Sequence, residues 1–158
     1  MFDRLIIIGA LATTVANPAQ AQVRATTGLT LDGAKNIVVA AEAEAKKNGW
    51  SMSIAIVDAA GELVFFEKSD MSGPVNADFA MRKARTAARY RRPTNALDSA
   101  VTAGRLQYLA TDALPIGGGV PIIVRGQVIG AVGASGGTAA QDAQVAAAGV
   151  AALNTTAP

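Results

Sequence analysis

The sequence predicts an α+β fold: a single antiparallel sheet of about five strands flanked by helices, with the N- and C-terminal helices packed together. Three observations predict it. The hydrophobic periods run helix, hairpin, helices, hairpin, helix. Both hairpins carry short glycine-containing turns, so their strands can share one antiparallel sheet. The chain is 51% hydrophobic but only 4% aromatic, so small side chains must pack helices closely on that sheet.

The elements follow in order. Residues 22–28 read as a loose leader. Thr30 is the N-cap of a first helix in which Ala34, Ile37, Val38, Ala41 and Ala45 keep a helical period, and Asn48-Gly49 stops it. Met52 to Val57 and Glu62 to Glu67 are β-rich runs joined by Asp58-Ala59-Ala60-Gly61. Pro74 suits the first turn of a helix from Val75 to Arg92, and Pro93 breaks it. Thr94 caps a short successor through about Ala103. Leu106 to Ala110 is a weak strand or loop, the candidate for a fifth strand. Pro115 and Gly117-Gly118-Gly119 make a tight or flexible loop. Val120 to Val124 and Val128 to Val132 form the second hairpin, turned at Arg125-Gly126. Thr138 with Gln141 makes a capping box, and an alanine-rich helix runs on to about Leu153. The terminal helices are expected on one face of the sheet, and the Val75 to Arg92 helix near the other face or an edge.

Residues 1–21 have the pattern of a bacterial signal peptide: Arg4, an apolar run from Leu5 to Ala16, then Ala19-Gln20-Ala21. The expectation is a periplasmic or secreted protein, one domain over residues 22–158, with no membrane attachment after cleavage. The chain has no cysteine and no histidine. That excludes disulfides, cysteine nucleophiles, zinc-finger sites and the usual imidazole base. Six of the fourteen basic residues, Arg82, Lys83, Arg85, Arg89, Arg91 and Arg92, lie within eleven positions. A cationic patch on an otherwise acidic mature chain points to an anionic partner. No nucleic-acid module is present, so a carboxylate-bearing small molecule or self-association into a homo-oligomer fits better.

The basic helix has three sides. Ala80, Ala84, Ala87 and Ala88 are small and suited to a sheet. Arg82, Arg85, Arg89 and Arg92 make the opposite, wet side. Phe79, Lys83, Thr86 and Tyr90 form a third line at spacings of four, three and four. Two aromatics, an amine and a hydroxyl in a row are poor core and unusual surface. They are the candidate grip for a flat, anionic guest, against the alternative of boundary residues that snorkel.

Gly133-Ala134-Ser135-Gly136-Gly137 has the letters of a nucleophile elbow, but no histidine is available to activate Ser135. The same loop, opening a helix, could instead bind an anion through its backbone amides. Asp58, Glu62 and Glu67 are scattered acids of the kind that are usually solvated, so no metal site is expected. Asp142 sits in the first turn of the last helix, where it favours the dipole.

Two longer stretches are more specific. Ala80-Met81-Arg82-Lys83-Ala84-Arg85-Thr86-Ala87, followed by Pro93-Thr94, resembles the central signature of the GlcG/HbpS family. Leu114 to Ile122, followed by Gly126 to Gly137, resembles its second signature, and the likeness runs from about Thr30 to Leu153. The resemblance implies an antiparallel sheet flanked by helices, assembled as dimers and sometimes octamers. It implies haem or a related tetrapyrrole as ligand, in some members with haem degradation, and Thr86 as the residue approaching the iron. Chemistry adds Phe79, Tyr90 and Met81 as walls, and Lys83, Arg82 and Arg85 as cations for the propionates. Without histidine or cysteine, the axial donor is left to Met, Tyr, Lys or a hydroxyl. Lys83 and Thr86 are the candidate catalytic residues; Phe79, Arg82, Tyr90 and Ser135 complete the binding set. The alternative is an enzyme acting on a small oxoacid or enol, with Lys83 as base and an arginine on the carboxylate. A third reading makes the arginines an assembly seam.

Overall fold

The structure, a computed structural model, describes residues 27–154. The expected signal segment 1–21 lies outside them. Helix α1 spans Leu31–Lys47. Thr30 starts it: its hydroxyl accepts a hydrogen bond from the Gly33 amide at 3.1 Å, serving a donor that has no partner within the helix. Asn48 caps the other end, and Gly49 leaves it at φ +70°.

Strands β1 (Ser53–Asp58) and β2 (Leu63–Lys68) form the first hairpin. Asp58 folds the turn, its carboxylate accepting from the Ala60 and Glu62 amides, each at 2.9 Å. Helix α2 spans Asn76–Tyr90 and ends on Arg91 at φ 54°, ψ 38°. It is shorter than the expected Val75 to Arg92 because Arg92 precedes a proline, which disfavours helical backbone there. Helix α3 is Thr94–Thr102.

Leu106–Ala110 is a 3-10 turn, so the sheet has four strands rather than about five. Its apolar residues Leu106 and Leu109 recur at three, the repeat of a 3-10 helix and not the two of a strand. Strands β3 (Gly119–Val124) and β4 (Gln127–Ser135) make the second hairpin. Arg125 and Gly126 turn it, both with positive φ (51° and 75°). Helix α4, Ala139–Asn154, opens with the expected capping box: Gln141 N donates to the Thr138 hydroxyl at 3.3 Å and Thr138 N to the Gln141 side chain at 2.8 Å.

The antiparallel sheet runs β2-β1-β4-β3. On one face Ile54, Ile56, Val132 and Ala134 pack on Ile37 and Ala41 of α1 and Val145 and Ala146 of α4. On the other, Ala55, Val57 and Ala131 meet Ala80, Ala84, Ala87 and Ala88 of α2. The terminal helices thus share one face and the basic helix covers the other. No described helix is long and apolar enough to cross a membrane.

Candidate functional site

Helix α2 touches the sheet through backbone. A Cβ at Gly133 would collide with the Ala80 carbonyl and the Ala84 amide, and one at Gly119 with the Lys83 carbonyl. These glycines act as close-approach positions, and the four alanines of α2 complete the flat contact. The approach is what brings the third line of the helix against the segment leading into β3.

Lys83 is buried there, 1% exposed, beside Asp142 of α4, 2% exposed. The Lys83 amine donates to an Asp142 carboxylate oxygen at 2.6 Å and to the Ala134 carbonyl at 3.2 Å. The other Asp142 oxygen accepts from the Gly137 amide at 2.9 Å. Gly118 makes room: a Cβ on it would stand 2.7 Å from the Asp142 Cβ and 2.9 Å from the Lys83 amine. The pair therefore links α2, β4 and the start of α4 in one polar knot, and a substrate could reach the amine only by displacing an ion pair.

Thr86 is also buried, and its hydroxyl accepts from the Leu114 amide at 2.9 Å. Two further side chains act alike. Asp98 accepts from Gly117 N at 3.3 Å, and Thr94 accepts from Gly119 N at 2.8 Å. The glycine loop before β3 is thus tied down through three of its amides, which face protein oxygens rather than solvent.

The remaining candidates lie elsewhere. Ser135 is buried at the end of β4, opposite Ser53 of β1. The Gly137 amide beyond it is bonded to Asp142. Phe79, Arg82 and Tyr90 are half-buried. On a helical wheel Phe79 and Tyr90 share the line of Lys83 and Thr86, and Arg82 lies further toward the wet side. Arg82 lies 3.8 Å from Asp78, and the Tyr90 ring meets Tyr108 edge-on at 6.2 Å between centroids. Arg85 bonds the Gly61 carbonyl at 3.1 Å. Arg89 bonds the Ala60 carbonyl at 2.9 Å and also meets Asp112 and Glu62. Both arginines are held by the first hairpin turn and its surroundings. The structure covers Lys83 with α4 and Thr86 with the segment before β3, and leaves Phe79, Arg82 and Tyr90 partly accessible.

Sequence reasoning missed two parts of this arrangement. It gives Asp142 only a helix-dipole role. One signal was available: Asp142 is the sole acid after Asp112, and a lysine on a helix line that packs inward needs one. It also misses Thr94 and Asp98 as anchors of the glycine loop.

Comparison with known proteins agrees with this geometry. Residues 29–151 match the family described as haem-degrading protein HbpS-like. The protein GlcG of Escherichia coli is 46% identical over 103 residues, which cover 65% of this chain and 77% of that protein. The crystal structure of a double mutant of HbpS from Streptomyces reticuli superposes with a TM-score of 0.78 at 30% identity, covering 90% of this chain and 97% of the other. The crystal structure of a PduOC–haem complex superposes with a TM-score of 0.75 at 27% identity, covering 81% and 96%. The two long motifs, the four-stranded sheet between its helices and the match over nearly all the described residues make this chain a member of the HbpS-like family.

Proposed function

We propose that this protein binds haem or a related tetrapyrrole on the outer edge of α2, as an exported homo-oligomer. One observation carries the placement: Phe79, Arg82 and Tyr90 stay partly accessible on α2, whereas Lys83 and Thr86 are buried and already have protein partners. Phe79 and Tyr90 are eleven residues apart, about 16 Å along the axis, a span suited to a macrocycle. Their rings suit its faces, and Arg82 suits a propionate carboxylate. The Tyr90 phenol is the oxygen donor on that edge, and tyrosinate is a known axial ligand of haem iron. The residues present therefore fit the group at the rim of the helix, and not at its buried line.

In this reading the contact of the α2 alanines with the sheet positions the outer residues. The Lys83–Asp142 pair and the Thr86–Leu114 bond tie the helix to α4 and to the segment before β3 without entering the binding edge. Bound haem would supply an iron centre for oxygen or redox chemistry. The HbpS-like family and the haem complex of a structural neighbour support the ligand class. Self-assembly is supported by the two open sheet edges, β2 with exposed Leu63 and β3 with exposed Ile123. Export is checked by mass spectrometry of the protein recovered from a bacterial host, which should start at Gln22.

The test of the ligand class is a titration with haemin and with iron-free protoporphyrin IX. Both should saturate at a fixed stoichiometry, with protoporphyrin within about tenfold of haemin, since rim contacts dominate. Linear, unsaturable uptake of both would sink the proposal.

A further inference from the structure

The end of α1 carries chemistry of its own, in the Asn48–Gly49 step. Gly49 takes the left-handed turn that closes the helix, at φ +70° with open space around it. Its amide donates to the Lys46 carbonyl at 3.0 Å, and the Trp50 amide donates to the Ala45 carbonyl at 2.9 Å. That closure favours glycine, and glycine removes the side chain that would shield the Asn48 carboxamide from the next peptide nitrogen. Asn48 and Gly49 are both exposed to water. The asparagine is therefore set where it is most prone to lose its amide.

Three hydrogen bonds oppose that loss. The Asn48 side-chain nitrogen donates to the Glu44 carbonyl at 2.8 Å and to a Glu44 carboxylate oxygen at 3.0 Å. The Gly49 nitrogen is engaged with Lys46. At ψ 0° the Asn48 backbone also turns that nitrogen away from the Cβ side, where ring closure needs it. The same Glu44 oxygen accepts from the Gln144 side chain of α4 at 2.6 Å, which ties the two terminal helices together. Gln144, and then Asn48, hold the Glu44 carboxyl below the usual carboxylate range, so this acceptor is ionised at neutral pH.

We propose that Asn48 is a deamidation site whose rate is set by Glu44. The Gly49 nitrogen attacks the Asn48 side-chain carbonyl carbon. The new C–N bond closes a succinimide, the old one breaks, and the Gly49 proton leaves with the amine as ammonia. Water then opens the ring to aspartate or isoaspartate, and nothing is oxidised or reduced. The product sets a carboxylate beside Glu44, at the negative end of the α1 dipole. A donor to Glu44 becomes a like charge, and the Glu44–Gln144 link between α1 and α4 loosens.

The experiment incubates the full-length protein at mildly alkaline pH, folded and in urea, and follows residue 48 by peptide mass spectrometry with isoaspartate detection. Asn36, Asn76 and Asn95, which precede Ile37, Ala77 and Ala96, are internal controls. In urea Asn48 should convert faster than the controls, and folding should slow it at least about tenfold. Glu44→Ala should speed conversion in the folded protein by about threefold or more, whereas Glu44→Gln, which keeps an acceptor oxygen, should stay within about twofold of wild type. Asn48→Asp should lower the urea midpoint, and lower it less in a Glu44→Gln background, where the like charge is gone. Equal rates in folded and unfolded protein overturn the proposal, as does the wild-type rate in Glu44→Ala. Conversion at Asn48 no faster than at the controls, or an equal loss from Asn48→Asp in both backgrounds, overturns it as well.

Discussion

The Lys83 amine and an Asp142 carboxylate oxygen stand 2.6 Å apart between α2 and α4, with almost no exposure of either side chain. Breaking a buried pair from one side strands a charge away from water. Lys83→Met or Asp142→Asn alone should therefore cost about 3–5 kcal/mol in urea unfolding. The two together should cost less than either single change, because no stranded charge remains and the amide oxygen introduced by Asp142→Asn can still accept from Gly137 N. Equal or additive losses would show that the ion pair contributes little.

Thr86 gives a milder case. Thr86→Val keeps the volume and removes the acceptor for the buried Leu114 amide, a loss of about 1–3 kcal/mol. Thr86→Ser should recover most of it. Amide hydrogen exchange should accelerate at Leu114 in the valine variant, while amides of β1 stay protected.

The glycines separate into two kinds. Gly133→Ala pushes α2 off the sheet and should cost several times more than the roughly 1 kcal/mol expected from a left-handed alanine. Gly126→Ala, at φ +75° with open space around it, should show only that smaller cost. Thermal unfolding of the two variants side by side distinguishes backbone contact from turn geometry.

Glu67 adds a pH dependence with a defined sign. Its folded carboxyl titrates above its unfolded value, so the folded state binds the extra proton and the ionised form is penalised. Wild-type stability should fall as pH rises through the raised range, relative to Glu67→Gln. The variant should be the more stable at pH 7, and its advantage should vanish toward pH 4. Denaturant midpoints across that range check it; a constant difference would mean that burial and Glu42 do not act on this group.

Most of the fold is legible in the sequence because local chemistry sets it. The Thr30 cap, the Asp58 turn, the Arg125-Gly126 turn and the Thr138/Gln141 box each act within a few residues. The flat alanine side of α2 is legible for the same reason. The neighbours of the third line are not. Helical spacing shows that Phe79, Lys83, Thr86 and Tyr90 lie along one side, but not what covers it. The answer comes from far along the chain: Leu114 lies 28 residues from Thr86, and Asp142 lies 59 from Lys83. Phe79 and Tyr90 stay nearer the rim, so the line divides between interior and edge. The glycine run before β3 is legible as a tight loop, whereas its tethering by Thr86, Thr94 and Asp98 depends on tertiary contacts.

The most direct measurement is a Soret titration of Arg82→Ala beside Thr86→Ser and the Lys83→Met/Asp142→Asn double variant, on folded protein at matched concentration. Haemin affinity should drop by about tenfold in Arg82→Ala, through the lost partner for a propionate, and stay within about twofold of wild type in the other two. Binding abolished by the inner changes and untouched by Arg82→Ala would contradict a ligand on the outer edge of α2.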